Sequence, residues 1–298
     1  MFTGCGTALV TPFRRDLSLD EETLRKLVRR QIEAGVNFLV PCGTTGESPT
    51  LTRAEHLRVV EITLEEAQSK VPVLAGAGGY NTHEVIELAR ELERMGVAGI
   101  LSVTPYYNKP TQEGLCRHYA AIAASIRLPI VVYSVQGRTG VNVEPATLAR
   151  LAAIENIVGV KEASGNIGQV ATILNEVPSG FTVLSGDDAV TIPLMALGGR
   201  GVISVVSNQI PGEMTQLAQA CLGGDFETAR RIQARYLPLM NINFVESNPI
   251  PVKAAMGLMG LLDPVWRLPM TPPSPANLAR ISKVLEAADL LRRTSGAS

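Results

Sequence analysis

Short apolar runs of about five or six residues, rich in Val, Ile and Leu, alternate along this chain with longer segments in which apolar residues return at helical spacing. The runs fall near residues 5–10, 38–42, 71–76, 99–104, 129–134, 157–161, 181–185 and 201–205. They recur at roughly 20 to 34 residues, the length of one strand and its returning helix. Eight such units predict the α/β class, and within it a (β/α)8 (TIM) barrel in which each strand is buried on both faces.

The helical segments carry the expected faces: Leu24, Leu27, Val28 and Ile32, then Leu57, Val60 and Leu64, then Val85, Leu88, Ala89 and Leu92. Capping boxes of the form Ser18-x-x-Glu21 and Thr52-x-x-Glu55 predict the starts of two helices. After the eighth run the helical period continues without another strand. We therefore expect the barrel to occupy residues 1–223 and a C-terminal helical extension, not an independent domain, to occupy 224–298. The stretch Pro269-Met270-Thr271-Pro272-Pro273-Ser274-Pro275 breaks that extension before its last helix, and the small polar tail Thr294 to Ser298 is expected to fray.

Length and charge narrow the chemistry. The 298 residues, 46% of them hydrophobic, suffice for one large core, and 27 basic against 28 acidic residues leave no excess to attract nucleic acid or a membrane surface. A small-molecule substrate is the expectation. The first residues lack the basic start and cleavage site of a secretory signal, and no apolar run reaches the ~18 residues of a bilayer span. Cys5, Cys42, Cys116 and Cys221 match no ligand or redox spacing, so reduced thiols in a cytoplasmic protein are the simplest reading. His56, His83 and His118 form no local metal-ligand pair, and we expect neither a metal nor a cofactor. No G-x-S-x-G elbow is present for a serine hydrolase.

In a barrel of this kind chemistry collects where strands end and β-to-α loops begin. Of six lysines only Lys161 closes an apolar run, in Ile157-Val158-Gly159-Val160-Lys161-Glu162. A barrel interior penalises an ammonium, which favours a nucleophilic amine there. Taken alone, the run fits equally well a structural lysine held by a carboxylate. Gly43-Thr44-Thr45-Gly46-Glu47-Ser48 after the second run offers backbone N–H groups and two hydroxyls for a carboxylate, or simply a tight turn whose threonines cap a helix. It matches neither a Walker nor a dinucleotide fingerprint. Tyr106 and Tyr107 follow the fourth run, Tyr133 lies in the fifth, and Arg138 stands on the loop beyond it. A phenol can shuttle protons and a guanidinium can hold a carboxylate; a rim tyrosine and a surface arginine are the plainer readings. Gly198-Gly199-Arg200-Gly201 precedes the eighth run and reads as a turn on the stability face.

Together these motifs resemble the dihydrodipicolinate synthase family. Gly43 to Ser48, Tyr106-Tyr107-Asn108-Lys109-Pro110, Tyr133 with Arg138-Thr139-Gly140, and Lys161-Glu162-Ala163-Ser164 fall in that family's order. The likeness continues through Ser185-Gly186-Asp187-Asp188, Gly201-Val202-Ile203-Ser204 and Asn248-Pro249-Ile250-Pro251-Val252-Lys253, so it covers essentially the whole chain.

The resemblance implies a Schiff-base lyase that condenses pyruvate with aspartate 4-semialdehyde on the diaminopimelate route to lysine. It implies Lys161 as the imine-forming residue and a proton relay of Tyr133, Thr44 and, from a neighbouring subunit of a homotetramer (a dimer of dimers), Tyr107. It further implies Arg138 for the semialdehyde carboxylate, and Thr45 with backbone groups at Gly186 and Ile203 for pyruvate. Ser48, His56, Glu84 and Tyr106 match a regulatory lysine site, whereas Arg53 and Tyr80 depart from inhibitor-sensitive patterns. The stretch Ser134-Val135-Gln136-Gly137 replaces the Asn-Val-Pro common in the family; with a glycine gained and a proline lost, we expect a looser loop under Arg138. A related pyruvate-dependent aldolase, acting on N-acetylneuraminate or 2-keto-3-deoxy sugar acids, is the alternative that shares Lys161. A non-catalytic barrel sensing 2-oxo acids is the alternative from another class.

Overall fold

A computed structural model describes residues 2–291. All eight expected runs form parallel strands: β1 Gly4–Ala8, β2 Phe38–Val40, β3 Leu74–Gly76, β4 Gly99–Val103, β5 Ile130–Ser134, β6 Ile157–Glu162, β7 Thr182–Ser185 and β8 Gly201–Ser204. Their order around the sheet is β2-β1-β8-β7-β6-β5-β4-β3, and a parallel bridge between Leu39 and Val73 joins β2 to β3 and closes the barrel.

Alternation along the strands divides the apolar residues into two layers. One set, including Cys5, Leu39, Ala75, Ile100, Val132, Val160, Val183 and Val202, faces outward and packs on the helices. The other, including Phe38, Leu74, Leu101, Val131, Tyr133, Leu184 and Ile203, fills the barrel. Phe2 plugs the floor, its ring edge-on to Phe38 at 5.5 Å. The expected helical faces pack as read: Leu24, Leu27, Val28, Val60, Val85, Leu88, Ala89 and Leu92 are buried, and Ile32, Leu57 and Leu64 lie partly buried against the outer layer. Each Leu or Val side chain among them, when fully buried, contributes about 1.5–3 kcal/mol.

Thr52 and Glu55 form the expected capping box. The Ser18 box does not form. The helix Glu21–Glu33 is capped instead by Asp20, whose carboxylate accepts from the Thr23 N–H, while Ser18 gives both its N–H and its hydroxyl to Asp16. A carboxylate two residues nearer the helix satisfies the free N–H groups and complements the helix dipole better than a hydroxyl.

Helix Pro211–Leu222 completes the eighth unit, followed by helices Phe226–Ile242, Ile250–Leu258 and Pro275–Ala287, the last preceded by the Pro-rich break. The tail expected to fray, 294–298, lies outside the described residues. Among the described residues no helix is long and apolar enough to cross a membrane. The loops at the carboxyl ends of the strands meet the segment 244–253 of the extension, and this meeting place is where the site forms.

Candidate active site

Strand pairing sets one layer of the barrel interior at its carboxyl end. Val103 pairs with Tyr133, Tyr133 with Lys161, and Lys161 with Leu184. Since Val160 belongs to the outer layer, Lys161 must point inward. Lys161 is 5% exposed, and its Nζ lies 4.3 Å from the centroid of the Tyr133 ring. Among the described residues Lys161 makes no ion pair; the buried lysine that does is Lys253, on Glu47.

Lys161 opens into a cavity of about 220 Å3 walled by Thr44, Thr45, Tyr133, Arg138, Gly186 and, from the extension, Phe244 and Asn248. Thr44 and Thr45 belong to a 3-10 turn, Thr44–Gly46, reached from β2 through Pro41, Cys42 and Gly43. Thr45 is buried, and its hydroxyl accepts from Asn248 Nδ2 at 2.9 Å. Arg138 lines the cavity and donates from Nη2 to the Asn248 carbonyl at 3.0 Å. The loop under Arg138 is set in a helical turn, Gln136–Thr139, closed by Arg138 N–H to Val135 O and by the Thr139 hydroxyl to Val135 O and Val141 O. These bonds hold the loop without the proline.

Gly186 follows β7 and donates its N–H to Glu162 O at 2.7 Å. A Cβ there would stand 2.6 Å from Ala163 Cβ and 3.2 Å from Lys161 Cε, so only glycine leaves the lysine its present course. Ile203 is fully buried in β8. Asp188 accepts on Oδ2 the Val205 and Val206 N–H groups, just past β8, and burial raises its carboxyl to about 6. On the far side of β6 Glu162 accepts from the Ser164 N–H and Gln169 Nε2, its pKa raised mainly by burial.

Tyr107 is not brought to this cavity. Its side chain is 91% exposed, and its backbone holds φ 64°, in the left-handed region. Three of the four residues matched to a regulatory site, Ser48, His56 and Tyr106, line a second cavity of about 290 Å3 that shares Thr44, Tyr133 and Arg138 with the first. Glu84 stands outside its wall, bonded to Asn81 Nδ2. His56 is buried and pushed down to about 4 by desolvation, and its Nε2 lies 2.9 Å from Gly76 O. A carbonyl only accepts, so Nε2 carries the proton. Neither departing residue lines this cavity: Arg53 pairs with Glu91, and Tyr80 meets the wall residue Tyr106 edge-on at 5.2 Å. Among the described residues no three His, Cys, Asp or Glu side chains are grouped closely enough to hold a metal.

Asn248, which touches both Thr45 and Arg138, was visible in the sequence as part of a motif but carried no assigned role. Its signal was the segment Asn248 to Lys253, polar at both ends of an apolar, Pro-rich stretch.

The model of the dihydrodipicolinate synthetase family matches residues 1–288. The chain is 51% identical over 293 residues to the 4-hydroxy-tetrahydrodipicolinate synthase of Koribacter versatilis (strain Ellin345), covering 98% of each. It is similar to the crystal structure of dihydrodipicolinate synthase from Thermotoga maritima, with a TM-score of 0.96 and 47% identity over 98% of this chain and 100% of that one. It is also similar to the chloride-inhibited dihydrodipicolinate synthase of Acinetobacter baumannii complexed with pyruvate. There the TM-score is 0.96 and the identity 41%, over 98% of this chain and 100% of that one.

Proposed function

This chain belongs to the dihydrodipicolinate synthetase family, its activity is that of a 4-hydroxy-tetrahydrodipicolinate synthase, and we propose that it works through an imine between Lys161 and pyruvate. As a lyase of lysine and diaminopimelate biosynthesis it condenses pyruvate with aspartate 4-semialdehyde. The observation that carries the imine is the position of Lys161: buried at a strand end, over the Tyr133 ring, and open to a cavity lined by hydroxyls and a guanidinium.

The Lys161 amine adds to the C2 carbonyl of pyruvate, and loss of water leaves the imine. Removal of a methyl proton gives the enamine, whose carbon attacks the aldehyde carbon while the aldehyde oxygen takes a proton. The substrate's own amine then adds to the imine carbon and expels the Lys161 amine, closing the ring and freeing the enzyme. Tyr133 and Thr44 stand where protons must be moved, with Tyr133 at the level of Lys161 on the neighbouring strand. Thr45 and the backbone at Gly186 and Ile203 shape the pyruvate end, and Arg138 receives the semialdehyde carboxylate.

The relay is completed by Tyr107 from a neighbouring subunit in a homotetramer, a dimer of dimers; its exposure and left-handed backbone suit a side chain held out for a partner. The extension from 224 onward belongs to the catalytic unit, because Asn248 and Lys253 bond to the loop carrying Thr44 and Thr45. The second cavity, with Ser48, His56 and Tyr106 on its wall and Glu84 at its edge, is the regulatory cavity, and Tyr80 bears on it only through its edge-on contact with Tyr106. The enzyme acts in the cytoplasm, where its four free thiols stay reduced.

Borohydride reduction in the presence of pyruvate, followed by peptide mapping, tests the central claim. A pyruvyl adduct on Lys161 is expected; an adduct on another residue, or none, overturns it.

A further inference from the structure

Lys253 is the opposite of Lys161. Its side chain is 0% exposed, its Nζ lies 2.5 Å from Glu47 Oε1 and 3.1 Å from Thr11 O, and it sits 4.4 Å from the Phe13 ring centroid. Burial lowers its pKa, and the Glu47 charge pulls it back.

Glu47 stands two residues beyond Thr45 and holds φ 53°, a left-handed conformation that a non-glycine residue keeps only when its surroundings enforce it. Its Oε2 accepts from the Arg267 N–H at 3.3 Å. Thr11, whose carbonyl takes the Lys253 ammonium, donates its hydroxyl to Gly46 O at 2.7 Å. The end of the Thr44–Glu47 loop is thus held at consecutive residues, Glu47 directly by Lys253 and Gly46 through Thr11.

Taking two charges out of water costs free energy that a well-packed apolar pair would not, so stability alone does not account for this arrangement. What an ion pair adds is direction: bonds of fixed length and angle that set where the loop backbone runs. We propose that the Lys253–Glu47 pair is a positioning device, through which the C-terminal extension sets the hydroxyls of Thr44 and Thr45 against Lys161. The inference rests on the roles given above to those two threonines. Lys253 and Glu47 touch no substrate; they act through the loop.

The double variant Lys253→Met/Glu47→Gln removes both charges without stranding either and keeps an acceptor for the Arg267 N–H. It is expected to unfold cooperatively, with pyruvate KM raised about tenfold and kcat lowered about tenfold. The KM for the aldehyde should stay within about twofold, because Arg138 is held by the Asn248 carbonyl and not by the pair. Lys253→Met alone leaves a buried carboxylate without its counter-ion, and the same kinetic split is expected with a lower thermal midpoint. A folded double variant with wild-type constants overturns the proposal. So does one whose aldehyde KM rises in step with its pyruvate KM, since that marks general loosening. Pyruvate trapping on wild-type Lys161 is run alongside. Its absence sinks the imine reading, whereas trapping with unchanged kinetics in the double variant sinks the positioning role alone.

Discussion

Lys161 and Tyr133 are paired in register on adjacent strands, and the lysine nitrogen stands 4.3 Å above the centre of the phenol ring. Tyr133 therefore offers two things: a ring face that covers the amine, and a hydroxyl on a residue that lines the cavity. Tyr133→Phe separates them. The ring and its packing remain, the hydroxyl goes, and kcat is expected to fall by about 100-fold or more, the usual size of a general acid–base contribution. Steady-state kinetics with both substrates, beside a thermal melt within a few degrees of wild type, check this. A kcat within a few-fold of wild type would remove Tyr133 from the relay.

Gly186 tests how narrowly Lys161 is aimed. In Gly186→Ala the new methyl would stand 2.6 Å from Ala163 Cβ and 3.2 Å from Lys161 Cε, so the lysine must give way toward the cavity and lose its present aim. The rate of pyruvate trapping by borohydride is expected to drop by at least about tenfold, as misplacement of a reacting group predicts. Circular dichroism should be unchanged. Trapping at the wild-type rate would show that the lysine has slack.

Arg138 lines the cavity and spends one guanidinium nitrogen on the Asn248 carbonyl. Lysine at this position keeps the charge and loses the fork, so it cannot hold both the carbonyl and a substrate carboxylate in plane. Arg138→Lys should raise the KM for aspartate 4-semialdehyde on the order of tenfold or more and leave pyruvate KM within about twofold. Equal changes in both constants would show that Arg138 does not distinguish the two substrates.

The barrel was legible because each strand is a continuous apolar run closed by turn residues, and Lys161 was legible because it ends one of them. Thr44, Thr45 and Arg138 follow for the same reason: they stand just past strand ends, where a barrel gathers its chemistry. What escaped was decided by partners far along the chain. Whether a buried lysine is a nucleophile or half of an ion pair depends on Glu47 meeting Lys253, residues 206 apart, and no local pattern records that. Asn248 escaped likewise, since its bonds run to Thr45 and Arg138, and Tyr107 stands 91% exposed among the described residues. The Ser18 cap failed on a shorter scale: a hydroxyl at the right spacing lost to the carboxylate of Asp20.

Acid should weaken the fold through its buried imidazoles before most of its carboxylates protonate. His56 and His118 are each lowered by burial from 6.5 to about 4. Between those values the unfolded chain takes up protons that the folded chain refuses, so their contribution is whole above pH 6.5 and is lost as pH falls toward 4. Each shift is worth roughly 3 kcal/mol. Asp188 works in the other sense, because burial raises it from 3.8 to about 6; its contribution is whole below 3.8 and is lost as pH rises through 6. Glu162, also raised, adds to that sense. Two imidazoles against Asp188 leave a net loss on acidification of about one imidazole's worth, and Glu162 trims it further. Urea unfolding of the wild type should therefore show a lower midpoint at pH near 4.5 than at pH near 7. His118→Phe keeps the aromatic contact with Tyr119, removes a buried ring nitrogen that has no partner among the described residues, and takes away one of the two losses. In that variant the drop in unfolding free energy between the two pH values should shrink by about 2–3 kcal/mol. A variant with the same pH slope as wild type would mean that His118 titrates as an ordinary imidazole, and the acid sensitivity would then have to come from elsewhere.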